Sequence, residues 1–243
     1  MDLALKGLTA VVTGGSSGIG AAIVEAFARE GCHVRLCSRT AEKNAAMIER
    51  LAPYGVSADA ATLDVSAPDA LDWIRSLGDF DVLVPNVSAL SADWDASLRL
   101  DVSATVDLIE CATETLKRSA HPAITYVGSK AATFATPGLE AYGAAKAAMV
   151  HYMKSLSQRL GPSGVRVNVV APGDTLFAGG MWDRIRGHDP VLYERTRTGN
   201  PMQRFAAPEE VARAVVFLSS PAASFVNGAH LLVDGGATTH VHG

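Results

Sequence analysis

The sequence predicts an α/β fold, a parallel sheet covered by helices on both faces. Apolar runs of strand length recur at 8–12, 33–37, 81–84, 123–127, 165–170 and 230–233, and between most of them lie stretches of helical length, at 18–30, 41–51, 93–117, 141–160 and 208–218. Strands that alternate with helices are the pattern of parallel strands joined by crossovers. Glycine and proline punctuate the joints: Gly31 follows the first helical stretch, Gly161 and Pro162 end the stretch at 141–160, and Pro208 opens another with Glu209 and Glu210 in its first turn, where acids complement the helix dipole. No internal repeat interrupts this order, so the reading is one domain over 1–243, with a lid at 174–207.

Composition narrows the chemistry. A chain of 243 residues that is 48% hydrophobic buries a substantial core. Its 21 basic and 25 acidic residues give a net charge of −4 without a basic run, so nucleic acid and anionic membranes are poor partners and a small-molecule substrate is the better one. The start lacks a signal segment and no stretch reaches the ~18 apolar residues of a membrane span, which places the expected location in the cytoplasm. Cys32, Cys37 and Cys111 have no metal spacing and read as reduced packing residues, so no metal is expected.

The first strand runs into TGGSSGIG at 13–20, which opens a helix. Glycines there let the backbone turn tightly and approach a diphosphate, while the helix N-terminus offers unpaired N–H groups and a positive dipole end. Gly14, Ser16, Ser17, Gly18, Ile19 and Gly20 are thus the expected phosphate cradle. Ser38 and Arg39 end the second strand, where a nucleotide fold that prefers NAD carries an acid for the ribose hydroxyls. Arg39 suits a 2′-phosphate instead, or is a solvated cation. Asp64 and Val65 are candidates for the adenine edge, with a helix cap as the alternative for Asp64.

YGAAK at 142–146 places Tyr142 and Lys146 one helical turn apart on one face. There the ammonium can stabilise a phenolate, a proton donor with its own tuning group. Ser129 stands thirteen residues before the tyrosine. It reads as a capping serine or as a second donor to a developing alkoxide.

Together these residues resemble the short-chain dehydrogenase/reductase family, nearly end to end. The glycine turn matches the family's TGxxxGxG, Asp64 and Val65 its adenine contact, and Ser129, Tyr142 and Lys146 its catalytic serine, tyrosine and lysine. NVVAPG at 168–173 matches the segment beside the nicotinamide, and PEEVA at 208–212 with VDGG at 233–236 its closing helix and strand. The resemblance implies a doubly wound, seven-stranded Rossmann sheet, an NADP(H) cofactor with NAD(H) second, and a homotetramer built on the helices at 93–117 and 141–160. It implies hydride transfer to or from a ketone or secondary alcohol, most closely as in 3-oxoacyl-thioester reductases, and cofactor contacts from Asn86, Tyr142, Lys146, Pro172, Gly173 and Thr175.

Two departures stand out. The family's NNAG is PNVS at 85–88, which retains only Asn86, and the family's fourth catalytic residue, an asparagine, is Asp101. A carboxylate there stabilises Lys146 as a cation and opposes ionisation of Tyr142. These departures leave a non-catalytic redox sensor on the same fold as the alternative.

The lid carries Phe177, Met181 and Trp182 around a Gly179-Gly180 pair, followed by Arg184, Arg186, Arg195 and Arg197. It reads as a cover for a hydrophobic substrate with an anionic end, or as packing residues and solvated cations. The ending at 238–243 reads as a frayed terminus or as a reach to a neighbouring subunit.

Overall fold

The computed structural model of the protein describes residues 2–239; residues 240–243 of the C-terminal ending lie outside the described residues. Seven parallel strands form a single sheet: β1 (Thr9–Thr13), β2 (His33–Ser38), β3 (Ala58–Thr62), β4 (Val82–Val84), β5 (Ala123–Val127), β6 (Arg166–Pro172) and β7 (His230–Val233), in the order β3-β2-β1-β4-β5-β6-β7. The order reverses between β1 and β4, which opens a crevice beyond their carboxyl ends. Both faces of the sheet are covered. Helices α1 (Gly18–Arg29), α2 (Ala41–Leu51) and α9 (Pro208–Ser219) cover one face; α3 (Asp69–Ser76), α5 (Thr105–Leu116) and α6 (Glu140–Leu160) cover the other.

Alternation along the strands divides the core in two. On β5, Ala123 and Val127 face the α1 side, while Ile124 and Tyr126 face the α6 side among Met149, Met153 and Leu156. The period of two thereby aims a phenol at the helix that carries Tyr142 and Lys146. The Cys32 thiol lies in the core on the α1 side and Cys37 in the core on the α6 side, and burial pushes both up to about 12.

The fold departs from the apolar pattern in four places. β3 is Ala-Asp-Ala-Ala-Thr on the sheet edge, partly exposed; an edge strand needs no continuous apolar run, so hydrophobicity does not mark it. α3 is also unmarked because only Ala70 and Ile74 are buried. The helix expected over 93–117 is three pieces: a single turn α4 (Trp94–Ala96), a π-helical segment Ser97–Ala104, and α5. Segments 181–188 and 190–199 form α7 (Met181–His188) and α8 (Pro190–Gly199). They are charged, and only Trp182 is buried, so their periodicity is weak. Phe205 anchors them, its ring centroid 5.0 Å from Trp182 and 4.8 Å from Tyr193.

Arg166 ties the end of α9 to β6. Its guanidinium donates to the carbonyls of Leu218 (2.6 Å), Ser219 (3.1 Å), Ser220 (2.9 Å) and Val226 (3.4 Å). Replacement by methionine keeps the stem but strands those acceptors. Arg166→Met should therefore lower the unfolding free energy by about 3 kcal/mol, read from the urea midpoint; a loss below ~1 kcal/mol would mean that water satisfies the carbonyls instead.

Candidate active site

The crevice at the strand-order reversal is a cavity of about 1080 Å³. Its floor is the turn after β1. Gly14 has φ +67°, and a side chain at Gly20 would place Cβ 2.1 Å from the Gly14 carbonyl oxygen, so this turn closes only around glycine. Asn86, after β4, holds the turn from the other side: its backbone N–H donates to Thr13 Oγ1 (2.9 Å) and its side chain to the Thr13 carbonyl (3.1 Å). That side chain explains why the second asparagine of the expected motif is kept while Pro85 replaces the first. Pro85 needs no donor there, and its carbonyl accepts from Val127 N at 3.0 Å.

Gly14, Ser16, Ser17, Ile19, Gly20, Ser38, Arg39, Asp64, Val65, Asn86, Pro172, Gly173 and Thr175 all line the cavity, with Ser129, Tyr142 and Lys146. Gly18 does not line it; the Phe177 ring lies over it, 2.7 Å from where a Cβ would stand. Asp64 is not the helix cap of the alternative reading, since α3 starts at Asp69 behind Pro68; it makes a local turn instead, its Oδ1 accepting from Ser66 N (2.8 Å) and Ser66 Oγ (2.7 Å). The hydrogen bond from Ser66 N leads the causes that hold the carboxyl below its ordinary value. Ser129 likewise caps, accepting from Ala131 N at 3.1 Å, and still faces the cavity. Of the four lid arginines Arg195 lines the cavity. Arg186 pairs with Asp183 (2.6 Å) and Arg197 with Glu194 (2.8 Å), while Arg184 is exposed.

Lys146 is at most 1% exposed and sits where three elements meet. Its Nζ donates to Tyr126 Oη at 2.9 Å, stands 3.2 Å from Asp101 Oδ1, and lies 5.7 Å from the centroid of the Tyr142 ring. Asp101 Oδ1 accepts no well-directed hydrogen bond, so its contact with the ammonium is a charge contact, and Oδ2 accepts from Ala89 N at 3.1 Å. Asp101 is therefore not the catalytic asparagine's neutral stand-in but one half of a buried ion pair. Burial pulls the Lys146 ammonium down; attraction from Tyr126, Tyr142 and Asp101 and the hydrogen bond to Tyr126 outweigh it and hold the group above its ordinary value. Because the folded-state value is raised, this stabilisation is complete below the unfolded ~10.4 and disappears only as pH climbs through the folded value. Lys146 is a cation throughout the neutral range.

Three participants escaped sequence reasoning. Tyr126 is signalled only by strand parity, since it shares a sheet face with α6. Lys43, which lines the cavity beside Arg39, lies in the first turn of α2, where a cation opposes the helix dipole; that misfit was the available signal. Lys130 bonds Asp174 across two loops, and nothing local in the sequence joins them.

Comparisons with known proteins extend over nearly the whole chain. The family described as enoyl-(acyl carrier protein) reductase matches residues 14–238. Isoepoxydon dehydrogenase of Penicillium expansum is 36% identical over 96% of this chain and 95% of its own. The structure of L-sorbose reductase from Gluconobacter frateurii, complexed with NADPH and L-sorbose, superposes with a TM-score of 0.90 at 29% identity, covering 99% of this chain and 100% of its own. A short-chain dehydrogenase/reductase from Serratia marcescens does so at 0.86 and 28% identity, covering 96% and 99%.

The buried pair makes a stability prediction. Lys146→Met leaves a carboxylate without its cation and should cost about 3–5 kcal/mol, whereas adding Asp101→Asn should recover roughly 2 kcal/mol. Denaturant titration of wild type, both single variants and the double variant measures the coupling; additive losses would show that the two charges do not interact.

Proposed function

The chain belongs to the short-chain dehydrogenase/reductase family, and on that premise we propose that it is an NADP(H)-dependent oxidoreductase acting on a CH–OH group, interconverting a ketone and a secondary alcohol. The observation that carries this reading is the convergence of Ser129, Tyr142 and Lys146 on the wall of the cavity whose other end holds the glycine turn. That end fits a dinucleotide. A Cβ at Gly20 would collide with the turn, and Arg39 and Lys43 together supply the charge a 2′-phosphate needs. The NADPH bound to L-sorbose reductase supports the same cofactor.

Gly14, Ser16, Ser17, Ile19 and Gly20 would hold the diphosphate at the start of α1, with Gly18 behind the Phe177 ring; Ser38 and Arg39 would hold the adenosine ribose and its phosphate, with Lys43. Asp64 and Val65 border the adenine. Asn86, Pro172, Gly173 and Thr175 border the nicotinamide end, which Tyr142 and Lys146 also reach. A nicotinamide held there would supply or accept the hydride. Ser129 Oγ donates to the reacting oxygen and fixes its position. Tyr142 Oη gives its proton to that oxygen as negative charge grows, and takes it back in the alcohol-oxidising direction. Lys146 provides the positive field that stabilises the phenolate left behind. Asp101 and Tyr126 hold its ammonium in place, and the anion of Asp101 reduces that field.

The keto substrate has a hydrophobic body, as a 3-oxoacyl compound or another hydrophobic ketone does. Phe134, Met181, Trp182, Ile185 and Leu192 line its end of the cavity, Phe177 reaches toward the glycine turn, and segment 174–207 acts as the lid of the single domain. A homotetramer packed through the two long helices and a cytoplasmic location complete the reading. The free thiols of Cys32, Cys37 and Cys111 support a reducing compartment.

Tyr142→Phe should abolish turnover by about 10³-fold or more while the affinity for NADPH, followed by its fluorescence, stays within about threefold. Turnover retained in that variant would remove Tyr142 from catalysis. A wild-type protein that binds NADPH yet oxidises it with no ketone would be the redox sensor instead. For the cofactor, Arg39→Ser combined with Lys43→Ser should lower the ratio of kcat/KM for NADPH over NADH by at least about tenfold; an unchanged ratio would make both cations surface residues.

A further inference from the structure

Lys130 follows the serine of the site and Asp174 follows Gly173. Their side chains pair across the cavity wall with only 18% and 16% of each exposed. Neither loop needs the pair for its own placement. The Asp174 segment is pinned by Gly173 N to the Val233 carbonyl (2.9 Å), Ala206 N to the Asp174 carbonyl (2.9 Å) and the bridge between Thr175 and Ala206. The Lys130 turn is pinned by Ala131 N to Ser129 Oγ (3.1 Å) and Thr133 Oγ1 to the Lys130 carbonyl (2.7 Å). A largely buried ion pair loses hydration without an assured gain in stability, so its presence here points to a ligand.

The surroundings identify the ligand's chemistry. Both charged groups line the cavity with Ser129 and Tyr142, and the Lys130 ammonium lies 5.8 Å from the Phe134 ring centroid, near enough to the Asp234 carboxylate to help hold it below its ordinary value. In a ligand cavity, a few placed polar groups set orientation and specificity. An ammonium offers donors and a carboxylate offers acceptors, and the substituent that answers both is a hydroxyl. A carboxylate or phosphate would meet the negative charge of Asp174, and a plain alkyl ketone would leave both groups facing hydrocarbon.

We propose that Lys130 and Asp174 form a hydroxyl-reading subsite beside Ser129, so that the preferred substrate is a hydroxy ketone or, in the oxidising direction, the corresponding diol. The hydroxyl is held and remains unoxidised; hydride and proton transfer occur at the carbonyl. Lys130 and Asp174 are specificity-determining residues, and this inference rests on the oxidoreductase reading above.

The test compares 2-hydroxyacetophenone with acetophenone, which differ by one hydroxyl, on the full chain with NADPH. The ratio of their kcat/KM values in wild type is set against the ratio in Lys130→Met and in the conservative Asp174→Asn, which normalises the intrinsic reactivity of the ketones. Each variant should lower the ratio at least about tenfold through KM for the hydroxy ketone, with acetophenone changed less than about threefold and NADPH affinity unaltered; a site that leaves a buried polar group unanswered discriminates at this scale. Equal losses on both ketones would make the pair a loop latch and overturn the proposal, as would no loss on either. Calorimetric binding of the two ketones to the NADP⁺-loaded protein separates the two readings. Selective, Lys130-dependent binding without turnover would sink the oxidoreductase reading and uphold the subsite, while turnover of both ketones without preference would do the reverse.

Discussion

One buried ammonium organises the catalytic half of the molecule. Lys146 contacts the π-helical segment through Asp101, strand β5 through Tyr126 and its own helix through Tyr142. Removing a cation from water costs several kcal/mol, and here the compensation comes from groups on three different elements. The position of Tyr142 is therefore coupled to the packing of the sheet and of the long interrupted helix, not only to the turn that separates it from Lys146. An asparagine at 101 would accept a hydrogen bond without charge. An aspartate adds attraction that holds the lysine more firmly, and subtracts from the positive field available to the phenol.

The two ends of the cavity are built on different principles. The nucleotide end is backbone and glycine, closed so tightly that a single methyl at Gly20 would strike the Gly14 carbonyl; little can vary there. The substrate end is formed by side chains on loops and on two charged helices whose main anchor is the aromatic cluster of Trp182, Tyr193 and Phe205. Cofactor recognition is accordingly rigid and shared across a fold, whereas substrate recognition rests on residues that can be exchanged without disturbing the sheet.

This division decides what could be read from the sequence. β1, β4, β5 and β6 were legible because buried parallel strands are continuous apolar runs, β2 and the edge strand β7 because they keep a short apolar stretch although partly exposed, and the glycine turn because its geometry demands its composition. The edge strand β3 was not, since its alanines and aspartate carry no such signal. Ser129, Tyr142 and Lys146 were legible by spacing. Tyr126 and the Lys130–Asp174 pair were not, because their contacts join residues 20 and 44 positions apart and depend on strand parity and loop closure. The π-helical turn around Asp101 was hidden for another reason: over 93–117 the apolar spacing fits one long helix equally well.

That π-helical segment also bears on how the site could change through time. A π turn is a regular helix carrying an extra residue, and one residue corresponds to a rotation of about 100°. Deleting one position within 102–104 would swing Asp101, α4 and the preceding loop relative to α5, carrying Asp101 away from Lys146 while the core-facing side of α5 stayed in register. Point substitutions at Asp101 alter a charge; a length change alters which residue occupies the place at all. In descendants of this chain, the fourth member of the site is exposed to loss by insertion and deletion in a way that the serine, tyrosine and lysine, seated on a strand end and a regular helix, are not.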